Sequence, residues 1–206
     1  MKATAPLLTL FTAAFAFAAP ATAAADDNTV QADLNGDGQL DTVLVEPVAD
    51  NGDEQRLVAT INGIELDVTM PMDPYFGVQP LRVVDLDGDG WNEVVVTESV
   101  GANTVDLTVW GLFGGLNPVL GPDLTPLHLW EGGGIASISE YGCEPSGSGR
   151  QLVTVGVWSD DVNFEHYQGE HVTYTVHNGV ATEASRTQMD GPRDDPAFQL
   201  DPETCA

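Results

Sequence analysis

The sequence predicts an all-β fold of three or four antiparallel, blade-like meanders, propeller-like but too few to close a full propeller, with a β-sandwich as the alternative. Three observations carry this. Short runs rich in β-branched residues recur along the chain, with Gly and Pro spread between them and no amphipathic helical period after the N-terminal segment. Asn-Gly stands twice between apolar runs, at Asn62-Gly63 and Asn178-Gly179. It is a hairpin signal because both residues accept the positive φ of a type I′ turn. An acidic loop running straight into a β-branched strand also occurs twice, as ADLNGDGQLDTVLVE over Ala32–Glu46 and VDLDGDGWNEVVVTE over Val84–Glu98, aligned without gaps.

Taken in order, residues 1–25 read as a secretory signal peptide. Met1-Lys2 is a minimal basic start, Leu7 to Ala19 is apolar, and small residues follow, with A-x-A frames ending at Ala23 or Ala25. The apolar run is shorter than the roughly 20 residues of a membrane span. Residues 26–206 then form one domain, long enough for a core of its own. Its expected strands are 42–48, 55–61, 64–70, 81–85, 93–99, 105–112, 126–130, 135–140, 151–158, 171–177 and 180–186. Within 105–112, Val105, Leu107 and Val109 alternate with Asp106, Thr108 and Trp110, the period of a half-buried strand. Residues 71–80 read as a connector, 144–149 as a small flexible loop, and the stretch after Gly191 as an irregular tail held only by Cys205.

The formal charge is −26, and the only lysine is Lys2. Such a surplus argues against nucleic acid, whose phosphates need basic partners, and against anionic lipid surfaces. It suits cations and keeps the chain soluble while adding self-repulsion. The two cysteines, Cys143 and Cys205, are an even count in a chain read as exported and are expected to pair. In the chain-entropy model a loop this long contributes on the order of 4 kcal/mol.

The repeated loops carry the chemistry. Loop one offers Asp33, Asn35, Asp37, the carbonyl of Gln39, and Asp41. Loop two offers Asp85, Asp87, Asp89, the carbonyl of Trp91, and Glu93. Oxygens at alternating positions wrap a hard cation, and the intervening glycines let the backbone turn tightly. Calcium, with 6 to 8 oxygens in a flexible shell, suits this donor set better than magnesium, which demands a stricter octahedron. An EF-hand needs an acidic ligand at position 12 of its loop. That place is taken here by Leu44 and Val96, inside β-branched runs.

The ligand set therefore closes at position 9, with strands on the C-terminal side, and in this it resembles the calcium loops of FG-GAP/VCBS-type repeats, as in integrin β-propeller blades. The whole layout resembles small secreted actinobacterial proteins of that kind. The resemblance implies a β-repeat fold and calcium as the cofactor, with no particular activity. A third, degenerate unit is expected where Cys143–Gln151 aligns with loop two, Cys143 standing in the place of Asp85.

No catalytic constellation is recognisable. The histidines make no zinc-helix spacing, no G-x-S-x-G elbow exists, and no pair of the many carboxylates stands out for glycoside hydrolysis. His171, Thr173, Thr175 and His177 read as one polar face of a strand opposite Val172, Tyr174 and Val176. The tryptophans are expected in the core, except Trp91, which projects from loop two. The expected role is that of a secreted calcium-binding module with a structural or interaction function, its partner an extracellular protein or glycan. An extracellular hydrolase using acidic residues near the loops is the alternative.

The charge surplus makes the first prediction. At fixed calcium, lowering the salt concentration lowers the melting temperature, because self-repulsion is then less screened. An unchanged melting temperature across a salt series would remove surface repulsion as a determinant of stability.

Overall fold

A computed structural model describes residues 28–147 and 149–206. The expected leader, including Lys2, lies outside the described residues. Among the described residues there are thirteen strands and two short 3-10 helices. Every strand expected from the sequence is present, and two more appear: β1 (Thr29–Ala32), just before loop one, and the short β8 (Leu116–Pro118). Among the described residues no helix is long and apolar enough to cross a membrane.

The strands form two antiparallel sheets. Strands β1, β2 (Asp41–Pro47), β3 (Glu54–Ile61) and β4 (Ile64–Pro71) make a four-stranded meander. The β3–β4 hairpin turns on Asn62 and Gly63 at φ 51° and 79°, as a type I′ turn requires. The second sheet starts with β5 (Arg82–Val84), β6 (Glu93–Val100) and β7 (Thr104–Leu112). The free edge of β7 is shared by β8 and β9 (His128–Gly132). The sheet continues through β10 (Ser137–Ser146), β11 (Gly149–Trp158), β12 (Tyr167–His177) and β13 (Val180–Gly191).

This larger sheet is hinged. Strands β9 and β10 share one register pair, Gly132 with Ser139. There the chain runs through Gly132 and Gly133 at φ 95° and 122°, where a Cβ would meet the Asn103 carbonyl at 2.3 Å or the Ser137 carbonyl at 2.4 Å. Only glycine passes at that distance. Beyond the hinge the sheet folds over its first half.

The result is three stacked layers with alternating faces. Val94, Val96 and Trp110 of the middle layer pack on Val43, Val45, Leu57 and Ala59 of the first sheet. The opposite face, Val95, Leu107 and Val109 with Leu129, packs on Tyr141, Cys143, Leu152 and Val176 of β10–β12. Neighbouring residues of one strand thus serve two different cores, as the pleat dictates. Gln55 adds a polar bridge between layers one and two, its Nε2 donating to the carbonyls of Pro71 at 2.8 Å and Thr97 at 2.6 Å.

Several expectations are corrected. Of the tryptophans expected in the core, Trp110 is buried but Trp130 and Trp158 are exposed. The degenerate third loop does not form: Cys143 lies inside β10 opposite Leu152, and pairing continues to Ser146 opposite Gly149. Without acidic side chains to receive its amides, the chain gains more by extending the β ladder, and the flexible loop expected over 144–149 shrinks to a tight hairpin. The tail is also held by far more than Cys205. Phe198, from the 3-10 helix Pro196–Phe198, is buried against Val155, Val157 and Tyr167 on the outer face of layer three. Arg193 donates to the carbonyl of Ile135 at 2.9 Å and stands over the Tyr167 ring. The second 3-10 helix, Pro202–Cys205, lies along β10, where Thr204 Oγ1 accepts the Cys143 amide at 2.8 Å and the Cys143–Cys205 disulfide closes. The polar face expected on β12 is partly covered, with Thr173 buried and His171 half-buried.

Phe198→Ala removes the ring that seats the tail on layer three. It is expected to lower the unfolding free energy in urea by about 3 to 5 kcal/mol. A loss below ~1 kcal/mol would mean the tail is an ornament rather than part of the core.

Candidate metal centre

The two loops adopt the same local plan. In loop one, Asp33 opens the turn: its Oδ1 accepts the Gly36 amide at 2.8 Å and its Oδ2 the Gly38 amide at 2.8 Å. In loop two, Asp85 accepts Gly88 at 2.7 Å and Gly90 at 3.1 Å through the same two oxygens. The residue seven along, Gln39 or Trp91, donates its amide to the fifth-position aspartate, Asp37 or Asp89, at 2.8 Å in each case. The ninth-position carboxylate turns inward. Asp41 and Glu93 each accept the amide of the second loop residue, Leu34 or Leu86, at 3.1 Å. All four loop glycines sit at positive φ, between 70° and 88°.

The loops differ in charge density. In loop two, ligand oxygens of Asp85, Asp87 and Asp89 lie within 4.8 Å of one another. Loop one has Asn35 in the middle place, so its polar group carries one carboxylate fewer. There Asn35 Nδ2 bonds the Asp37 carboxylate at 3.0 Å and Asn62, from the β3–β4 turn, bonds it at 3.2 Å. The amide of Gln39 holds the Asp37 carboxyl below its ordinary value, aided by these two side chains.

Burial has the opposite effect on the ninth position. Glu93 is only 5% exposed. Burial pushes its carboxyl up to about 8, opposed by the Leu86 amide and reinforced by Asp87, Asp85 and Asp89. Asp41 is raised by burial too, and Asp87 by burial and then by the charge of Asp89. Among the described residues no arginine forms an ion pair with Asp85, Asp87, Asp89 or Glu93. A desolvated carboxylate beside three further carboxylates is a set of hard oxygen donors without an arginine countercharge, one that a hard divalent cation would supply. The fit is to an ion taken by Asp85, Asp87, Asp89, the Trp91 carbonyl and Glu93, with the matching set Asp33, Asn35, Asp37, the Gln39 carbonyl and Asp41 in loop one.

The sequence did not reveal that the loops lean on each other. Asn92 of loop two donates its amide to the Asp33 carbonyl at 2.7 Å, and its Oδ1 accepts the Asp33 amide at 2.9 Å. The Trp91 indole lies on Gly36, where an added Cβ would fall 1.8 Å from Nε1. Trp91 is therefore half-exposed, as its projection from the loop suggested, but it is also packed. The β10–β11 hairpin repeats the arrangement one layer on. The Arg150 amide donates to the Asp87 carbonyl at 3.0 Å, and Gly149 passes so close that a Cβ would lie 2.4 Å from that oxygen. The shortened third turn thus occupies the place of a third loop without its conformation. Beside loop two a cavity of about 480 Å³ is lined by Asp87, Asp89, Trp91, Glu93, Phe113 and Asn178 among others.

No family model matches this chain, and no curated protein or solved structure matches it either.

The two glycines of loop one separate backbone strain from packing. Gly38 has open space around a Cβ, whereas Gly36 faces the Trp91 indole. Gly38→Ala should cost only the left-handed strain, about 1 to 2 kcal/mol. Gly36→Ala should cost that and the displaced indole, seen as a clearly larger fall in melting temperature. Equal costs would show that the indole contact carries no stability.

Proposed function

We propose that this chain is a secreted calcium-binding β-repeat module of FG-GAP/VCBS type, in which calcium stabilises the loops and the loop end of the layers serves an interaction or structural role. The observation that carries it is the convergence of Asp85, Asp87 and Asp89 over the buried Glu93, on a hydrogen-bond plan repeated in loop one. Export is supported by the leader-like residues 1–25 and by the disulfide. An extracellular protein or glycan is the partner this surface suits. The half-exposed Trp91, with Phe113 and Asn178 around the adjoining cavity, offers apolar and hydrogen-bonding walls beside the ion.

The hydrolase reading has one observation in its favour, a cleft of about 200 Å³ away from both loops that Glu140 and Glu170 help to line. Glu170 is engaged there by Arg186 and by Gln188 Nε2 at 3.0 Å. That leaves Glu140, raised by burial and then by the charge of Glu131, as one carboxyl without a free second. Acid–base hydrolysis between two carboxyl groups needs both, so the binding module is the better-supported reading.

Thermal unfolding in excess calcium and in EDTA, with magnesium as control, tests the proposal. A ligand confined to the folded state stabilises it by about 2.7 kcal/mol at a hundredfold excess over Kd. A calcium-specific rise in melting temperature is expected, lost in the Asp85→Ala/Asp87→Ala double variant. The same melting temperature in calcium and EDTA would overturn the calcium reading.

A further inference from the structure

The loop-opening aspartates present their peptide groups away from the folded turn, and each is met by the next unit. For Asp33 both the N–H and the C=O are taken by Asn92. For Asp85 the same two groups are taken by Cys205 and Arg150, which the disulfide and the Pro202–Cys205 helix on β10 hold side by side. The Asp85 amide donates to the Cys205 carbonyl at 2.8 Å. Arg150 Nη1 donates to the carbonyls of Asp85 at 2.8 Å and Cys205 at 2.7 Å, and Nη2 to that of Ala206 at 3.1 Å. The peptide N–H of Arg150 meanwhile holds the Asp87 carbonyl. Cys205 is fully buried and bonded to Cys143 in β10. One guanidinium thus ties the first ligand residue of loop two to a tail segment that the disulfide fixes in place.

Resting on the calcium reading above, we infer that Arg150 and the disulfide-anchored tail are a positioning device for loop two, so that calcium occupancy of that loop and the Cys143–Cys205 bond are thermodynamically coupled. With the disulfide open, Cys205 keeps only the weaker hold of Thr204 and the packed tail, and the acceptor of the Asp85 amide is less firmly placed. Two of the three Arg150 acceptors, the carbonyls of Cys205 and Ala206, are loosened with it, and ordering loop two around an ion then costs more. Coupling between two equilibria is reciprocal: the factor by which calcium favours the disulfide is the factor by which reduction weakens calcium binding. Loop one feels this only through the contacts of Asn92 and Trp91.

The test is a redox titration of the oxidised protein with dithiothreitol, which is oxidised to its cyclic disulfide as the protein bond takes up two electrons and two protons. It is run with calcium, with magnesium and with EDTA, and calcium affinities of the oxidised and reduced forms are measured by calorimetry. Calcium is expected to shift the equilibrium toward the disulfide by roughly tenfold, with an equal loss of loop-two affinity on reduction. The shift should survive Asn35→Ala, the loop-one counterpart of Asp87, vanish in Asp87→Ala and Arg150→Gln, and return in part with Arg150→Lys. Should Arg150→Gln fail to fold, the Cys143→Ser/Cys205→Ser pair should still show weakened loop-two binding, with loop one affected less. Calcium binding to the oxidised protein without any shift in the redox equilibrium would overturn the coupling alone. So would a shift removed equally by Asn35→Ala and Asp87→Ala. Absence of calcium binding to the oxidised protein would overturn the calcium reading and the coupling with it.

Discussion

Two functions meet in a single residue type at the start of each loop. The carboxylates of Asp33 and Asp85 gather the amides of the glycines that follow, and so fold the turn. The peptide groups of the same residues are bonded by the next layer, Asp33 by Asn92 and Asp85 by Cys205 and Arg150. Turn formation and layer stacking are therefore one constraint. A side chain lacking two acceptor oxygens at either position would release the turn, and with it the surface on which the neighbouring layer rests. Alternating faces of β6 and β7 supply the apolar part of the same stacking, since Val94 and Val96 look toward layer one and Val95 toward layer three.

A stack of three layers has two ends, and each is finished differently. The outer face of layer one is polar, with Arg56 set among Glu46, Glu65 and Asp67. The outer face of layer three is apolar at Val155, Val157 and Tyr167, and is covered by Phe198 and Leu200 of the tail. The edge of β10 is covered in turn by the Pro202–Cys205 helix. Charge on one end and a covering segment on the other are the usual remedies for exposed sheet surface and edges, and together they allow an unclosed array. The disulfide belongs to this logic, because it fastens the segment that finishes the stack.

The basic residues are committed to structure. Arg56, Arg82 and Arg186 pair with carboxylates, while Arg150 and Arg193 hold backbone carbonyls. The acidic surplus is thus left without internal compensation, and the deepest part of it lies at loop two. Two of the histidines stand away from the loops, His128 bonded to Asp106 and His166 to Asp190, while His177 is near enough to Asp87 to oppose slightly the rise that burial causes there.

The sequence by itself determined the local structure. Strand alternation, the Asn-Gly turns, the paired loops and the disulfide were all legible, because each depends on nearest neighbours or on a simple count. β1 and β8 were missed, since segments of four and three residues carry too little pattern to stand above a turn. The proposed ligand residues were legible as two parallel sets. What only the tertiary structure decided is how those sets are held: Asn92 against Asp33, Trp91 on Gly36, Arg150 and Cys205 around Asp85. These contacts join residues 55 to 120 positions apart, and each has a backbone group on at least one side; a carbonyl or amide has the same identity in every residue. No side-chain pattern marks where such a group will find its partner, so the layer stacking that makes the site had to come from the fold.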